Sequence, residues 1–180
     1  MKRVIELHDE VMVSDPCYEL GTWCQKIVKN VKSGLYNVFV LNSDVWGGRI
    51  GALCVIHEEQ ARRNCSLQWE EEGGTIAVDS GQCGIFSLDT YRKDNLFKIY
   101  PKFQFEADRD GDKWYAHMCD KTLSSEQFGV YGYGAVSSSG IGDGVYDLYT
   151  LTDDDGKVVG FLIDYLIEEE LEMDFWKSEI

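Results

Sequence analysis

The sequence predicts an all-β or strongly β-rich α+β protein, a single-domain antiparallel sandwich or barrel carrying one to three short helices. Three observations lead there. Short strand-like runs recur along the 180 residues, separated by turns rich in glycine and aspartate. Aromatic residues, which suit a half-buried pleated surface, make up 13% of the chain, and hydrophobic residues 44%, enough for a substantial core. Helical periodicity is rare by comparison.

Taken in order, "RVIEL" (3–7) and "EVMVS" (10–14) read as the first strands. In "TWCQKIVKNV" the spacing of Trp23, Ile27, Val28 and Val31 places them on one face of a short helix over 22–31. "LYNVFVL" (35–41) follows the turn signal "KSG", and "RIGALCVI" (49–56) follows "WGG". "EEQARRN" (58–64) holds helix formers without an apolar stripe. "CSLQWEE" (65–71) and "TIAVDS" (75–80) flank Gly73-Gly74, a hairpin signal. "LDTYRKDN" (88–95) suits a single helical turn. "KFQFEA" (102–107), with Phe103 and Phe105 alternating, and "KWYAHMC" (113–119), with Trp114, Ala116 and Met118 alternating, read as strands flanking "DRDGD". "GVYGYGAVS" (129–137) reads as one strand. "VYDLYTL" (145–151) and "KVVGFLIDYLI" (157–167) flank "TDDDG", a further hairpin signal. Residues 1–167 form one domain in this reading, and 168–180 an acidic tail that packs on the body or reaches a partner.

The formal net charge is −15. That opposes general nucleic-acid binding and binding to anionic membranes, both of which need a basic face. It is compatible with plain solubility, with a basic protein partner, or with mimicry of a nucleic acid's field. None of the six cysteines forms a C-x-x-C pair, so a zinc ribbon or thioredoxin-like site is not expected. The opening "MKRVIELHDE" lacks the apolar run of a secretory leader, and no window reaches the ~18 uninterrupted apolar residues of a membrane span. The expectation is therefore a cytoplasmic protein with reduced thiols.

Three segments carry candidate chemistry. In "SDPCY", Asp15 and Pro16 initiate a turn after a strand, and Asp15, Cys17 and Tyr18 place a carboxylate, a thiol and a phenol together. In "AVDSGQCGIF", a strand runs into Asp79, Ser80, Gly81 and Gln82; Gly81 and Gly84 allow positive φ, so that amide N–H groups converge on an anion. Cys83 is a nucleophile only if a neighbour lowers its pKa; His57 and His117 are the candidates by residue type. In "VSSSGIGDGVYDLYTL", Ser137, Ser138 and Ser139 lead into Gly140, Gly142 and Gly144, with Asp143 among them and Tyr146 beyond. No G-K-[ST] follows and a strand rather than a helix is opened, so this is neither a Walker loop nor a Rossmann turn. It is either a backbone cradle for a ligand or a loop whose glycines serve turns and whose serines bond the backbone. "DRDGDK" (108–113) and "DDDG" (153–156) resemble calcium loops but lack the closing glutamate and flanking helices, so no metal and no cofactor is expected. Tyr131, Tyr133, Tyr146 and Tyr149 suit core packing better than a stacking wall.

The segments "SDPCYELGTWC", "VDSGQCGIF" and "GAVSSSGIGDGVYDLYTLTDDDGKVVG" resemble the pattern of a family of bacterial and phage proteins catalogued only as a domain of unknown function. The likeness extends over about residues 15–165. It implies an intracellular β-rich domain in a bacterium or its virus, and it brings no activity, catalytic residue or cofactor. A small residue is expected in that family where Cys83 stands, which weighs against a cysteine nucleophile.

Together these readings predict non-enzymatic binding of a small polar or anionic ligand, such as a nucleotide-derived signal sequestered by a phage protein. The three segments would hold it through Asp15, Cys17, Tyr18, Asp79, Ser80, Gly81, Gln82, Ser137, Ser138, Ser139, Gly140, Asp143 and Tyr146. Two rivals remain open: a hydrolase using Asp79, Asp143 or Cys83, and an acidic inhibitor or nucleic-acid mimic engaging a basic partner.

Overall fold

In a strand, alternate side chains face opposite ways, which shows as alternating burial over 144–148, whereas 11–14, 50–57 and 82–87 are covered on both faces. The computed structural model describes residues 3–44, 47–62, 69–103 and 109–165. Its strands are β1 (Arg3–Leu7), β2 (Val11–Ser14), β3 (Lys26–Val28), β4 (Gly34–Ser43), β5 (Arg49–His57), β6 (Glu70–Val78), β7 (Gln82–Ser87), β8 (Phe128–Tyr131), β9 (Gly134–Ser138), β10 (Gly144–Thr152) and β11 (Val158–Asp164). They pair antiparallel into two sheets, a six-stranded one in the order β1-β4-β5-β11-β10-β6 and a five-stranded one in the order β3-β2-β7-β9-β8.

The sheets face each other across one core. Ile5, Leu7, Tyr36, Leu53, Phe161 and Ile163 come from the first, and Val11, Val13, Cys83, Ile85 and Ala135 from the second. β5 is buried on both faces, which is why "RIGALCVI" reads as a continuous apolar run. Its outward Ala52, Cys54 and Ile56 join Leu151, Val159 and Leu162 in a second cluster. On the far side of the five-stranded sheet, Met12, Phe86 and Val136 meet Trp114 and Met118 of helix α2 (Asp112–Thr122). The result is a β-rich α+β sandwich with a helix laid on one outer face. Helix α1 (Glu58–Ala61) is a single turn. Among the described residues no helix is long and apolar enough to cross a membrane.

Several local expectations are corrected. Residues 113–119 are helix and not strand. Trp114 and Met118 stack four apart on the buried face, and the helix start is capped from a distance: Asp94 accepts from the amides of Gly111 (3.0 Å) and Trp114 (2.7 Å). Gly111, at φ +87°, supplies the left-handed entry. Residues 22–31 are not helix. Gln25 Oε1 accepts from the amides of Gly21 and Thr22, at 2.9 and 3.1 Å, and closes a tight loop before the short β3. Gly73-Gly74 is not a hairpin turn, because β6 runs through it. Gly74 pairs with Leu148 and takes φ +73° where the ladder to β10 slips, as at a bulge. The run 129–137 is two strands, β8 and β9, joined by a two-residue turn between Tyr131 and Gly134. Lys102 and Phe103 are not strand; the Asp120 carboxylate accepts from both amides at 2.7 Å. Residues 65–68, 104–107 and the tail 168–180 lie outside the described residues. The helical turn expected over 88–95 is present as two 3₁₀ turns, Leu88–Thr90 and Asp94–Leu96, and the hairpin around "TDDDG" joins β10 and β11.

Two buried histidines make stability depend on pH. His57 Nδ1 accepts from the amide of Glu59 (3.3 Å) and caps α1. His117 stacks on Phe97, with ring centroids 4.0 Å apart, and places Nε2 3.0 Å from the carbonyl of Ile99. Burial lowers both pKa values, so the folded state favours neutral rings. Their contribution is therefore complete above the unfolded value of about 6.5 and is lost as pH falls below it. The urea midpoint is expected to be lower at about pH 5.5 than at about pH 7.5. A His57→Gln/His117→Gln variant should show a smaller difference; an equal one refutes the assignment.

Candidate functional site

β2 ends at Ser14, and the next residue enters the interior rather than solvent. Asp15 is fully buried. Its carboxylate accepts from the amides of Cys17 (2.8 Å), Asp79 (2.9 Å) and Ser80 (2.7 Å) and from the Ser80 hydroxyl (2.6 Å). Charge-assisted bonds of this kind are about twice as strong as neutral ones. Asp15 follows β2 of the five-stranded sheet and Asp79 follows β6 of the other, just before β7 joins β2, so this side chain is a latch that pins the crossover between the sheets to the end of β2.

The third segment joins at the same end. The amide of Ser139 donates to the carbonyl of Gly81 (3.0 Å), and the Asp143 carboxylate accepts from the amide of Gly81 (3.0 Å). Gly144 pairs with Val78 in the ladder that leads there. The three separated loops thus meet, and the amides expected to receive an anion face carboxylates of the protein itself. Gly81 has the positive φ expected of it, +66°, whereas Gly84 is ordinary strand within β7, its missing side chain replaced by the Phe86 ring.

The serine–glycine run is tied by its own polar groups. The Ser139 hydroxyl donates to the carbonyl of Gly142 (2.8 Å), and the Tyr146 hydroxyl lies 3.0 and 2.7 Å from the carbonyls of Ser139 and Gly142. Gly140 and Gly142 turn the chain at φ +53° and +116°. Ser137 is buried, its hydroxyl 3.1 Å from that of Tyr165; Ser138 donates to the carbonyl of Thr122. Tyr146 packs edge-on to Tyr165 within the inter-sheet core. Gln82 is also turned inward, accepting from Thr122 Oγ1 at 2.9 Å and donating toward Cys119. Side chains on the outer side of the cluster are Cys17, Tyr18, Asp79, Ser80 and Asp143, of which Asp79 and Asp143 are exposed. Tyr18 donates to Asp79 at 2.6 Å.

Cys83 as a nucleophile is corrected. It is wholly buried in the inter-sheet core, and burial pushes its thiol well above the ordinary range. Burial, reinforced by the Asp15 carboxylate, likewise raises the Cys17 thiol, and burial followed by the bond to Asp79 raises the Tyr18 phenol. Among the described residues of the acidic runs, Asp153 serves the β10–β11 turn and Asp112 opens α2. Asp153 accepts from the amides of Asp155 and Lys157, and Asp112 pairs with Arg92 at 3.1 Å.

Sequence reasoning missed the residues that buttress the site. The Tyr91 hydroxyl donates to the carbonyl of Tyr18 (2.7 Å), Arg92 Nη1 donates to the carbonyl of Pro16 (2.8 Å), and Gln25 Nε2 donates to Tyr91 (3.1 Å). Tyr91 and Arg92 stand in a stretch that reads only as a helical turn, with no spacing that points to residues 15–18. Comparison with protein-family models, with curated proteins and with solved structures finds no match.

Proposed function

We propose that the protein binds a small polar ligand at this end of the sandwich without transforming it, and that Tyr18, Asp79, Ser80 and Asp143 meet the ligand. The observation that carries this reading is the convergence of three loops, two joined by the buried Asp15 and the third bonded to Gly81, which fixes the backbone beneath those side chains. Binding groups held by such a shell lose little freedom when a ligand arrives. The exposed carboxylates accept hydrogen bonds and repel anions. The recognised part of the ligand therefore carries hydroxyl or amino groups. A nucleotide-derived signal fits through its ribose and base edge, with its phosphates turned to solvent. The raised thiol and phenol groups favour binding over nucleophilic chemistry. A cytoplasmic protein, bacterial or phage-borne, that sequesters such a signal is the biological form of this reading.

Isothermal titration with adenosine, AMP, cyclic nucleotides and ADP-ribose tests it. Saturable heat is expected with at least one of them, weakened about tenfold or more by Asp79→Asn or Tyr18→Phe at unchanged melting temperature. Silence across the panel overturns it.

A further inference from the structure

We infer that the loop 19–25 is a docking surface for a basic segment of another protein, anchored by Trp23; the exposure of Trp23 is an observation separate from those behind the small-ligand reading, although the two surfaces share Asp79. Trp23 is 90% exposed and Leu20, in the same turn, 63%. This loop is fixed from within. Gln25 Oε1 accepts from the amides of Gly21 and Thr22, and Gln25 Nε2 donates to the Ser14 and Tyr91 hydroxyls, each at 3.1 Å. Thr22 closes the turn with its hydroxyl 2.8 Å from the carbonyl of Glu19. The next residue, Cys24, is buried, with its thiol beside the Tyr18 hydroxyl. The backbone is thus held on both sides of Trp23 while its indole is left in water. A pre-organised, exposed tryptophan is the residue type most often found as an interface anchor.

Charge selects the occupant. The chain carries −15, so nucleic acid, anionic lipid and a second copy of the chain are all repelled, and a cationic segment is attracted. On the rim Glu19 already holds the guanidinium of Arg109 at 3.1 Å, on a pair exposed at both ends, so a partner's guanidinium reaches that carboxylate by exchange with Arg109. Asp79, bonded to Tyr18, adds a second carboxylate beside the loop. A guanidinium of the partner would lie on the indole face with these carboxylates at its edge.

The test uses a fluorescein-labelled nona-arginine peptide and fluorescence anisotropy at about 150 mM salt, where long-range attraction is screened. Trp23→Ala should weaken binding about tenfold, while Asp154→Asn/Asp155→Asn in the exposed β10–β11 turn should change it less than about threefold. Trp23 lies outside the core, so the variant should keep its melting temperature. Equal binding by wild type and Trp23→Ala, or equal losses in both variants, overturns the proposal. So does a dimer in sedimentation that dissolves on Trp23→Ala, which would assign the surface to a second copy.

Discussion

Asp15→Ala is expected to lower the free energy of unfolding by about 3–5 kcal/mol, read from urea denaturation. The carboxylate is fully buried and serves four donors, three of them backbone amides that cannot turn elsewhere. Alanine leaves those donors without an acceptor, and each such group costs about 1–3 kcal/mol when it stays dry. Asp15→Asn tests the geometry. It keeps one oxygen but points an amide NH₂ at groups that themselves donate, so it should recover less than half of the loss. Because Asp79 and Ser80 are positioned by their own amides, the variant should also weaken any ligand bound there. A loss below about 1 kcal/mol for Asp15→Ala would mean that water replaces the carboxylate, and the latch would have no energetic content.

Trp114→Ala is expected to cost a similar about 3–5 kcal/mol, the range for large aromatic truncations in a core. Trp114 is fully buried, with Phe86 at 5.0 Å, Tyr91 at 5.1 Å and Tyr131 at 6.1 Å between ring centroids. With Met118 it packs α2 against the five-stranded sheet, so its removal should loosen the helix and flatten the near-ultraviolet circular dichroism. Its indole nitrogen has no hydrogen-bond partner among the described residues, so its contribution is packing and not polarity. Trp114→Phe, which keeps one ring in the cluster and leaves a smaller cavity, should therefore cost clearly less than Trp114→Ala. Equal losses for the two variants would refute that division.

The sheets were legible because burial and pleat agree. β1, β4, β5, β10 and β11 fall where alternation or a continuous apolar run places them, bounded by Gly and Asp turns. α2 was not legible, because Trp114, Ala116 and Met118 are buried in the helix just as alternation would bury them in a strand, and the cap that decides the matter comes from Asp94. The glycine pair in β6 was read as a turn because a bulge and a turn use the same residue. For the site, composition identified the three loops. It could not identify that Asp15 would occupy the amides after β6, since those groups lie 64 and 65 positions away and are brought together only by the pairing of β2 with β7. Trp23 was misread for a related reason: its spacing to Ile27 suits a helix face, and the side chain of Gln25 overrides that spacing.

The distance along the chain spanned by the Asp15 latch bears on when it closes. β2 pairs directly with β7, which brings the end of β2 to the β6–β7 crossover, and a contact of that span is rewarded only after the loop entropy of this non-local pairing has been overcome. Closure is expected to follow the rate-limiting barrier, and a chevron in which Asp15→Ala slows refolding as much as it speeds unfolding would refute this order. Weakening the latch would leave the speed of folding nearly untouched and shorten the lifetime of the native molecule, so the protein's endurance, more than its ability to reach the native state, rests on one carboxylate.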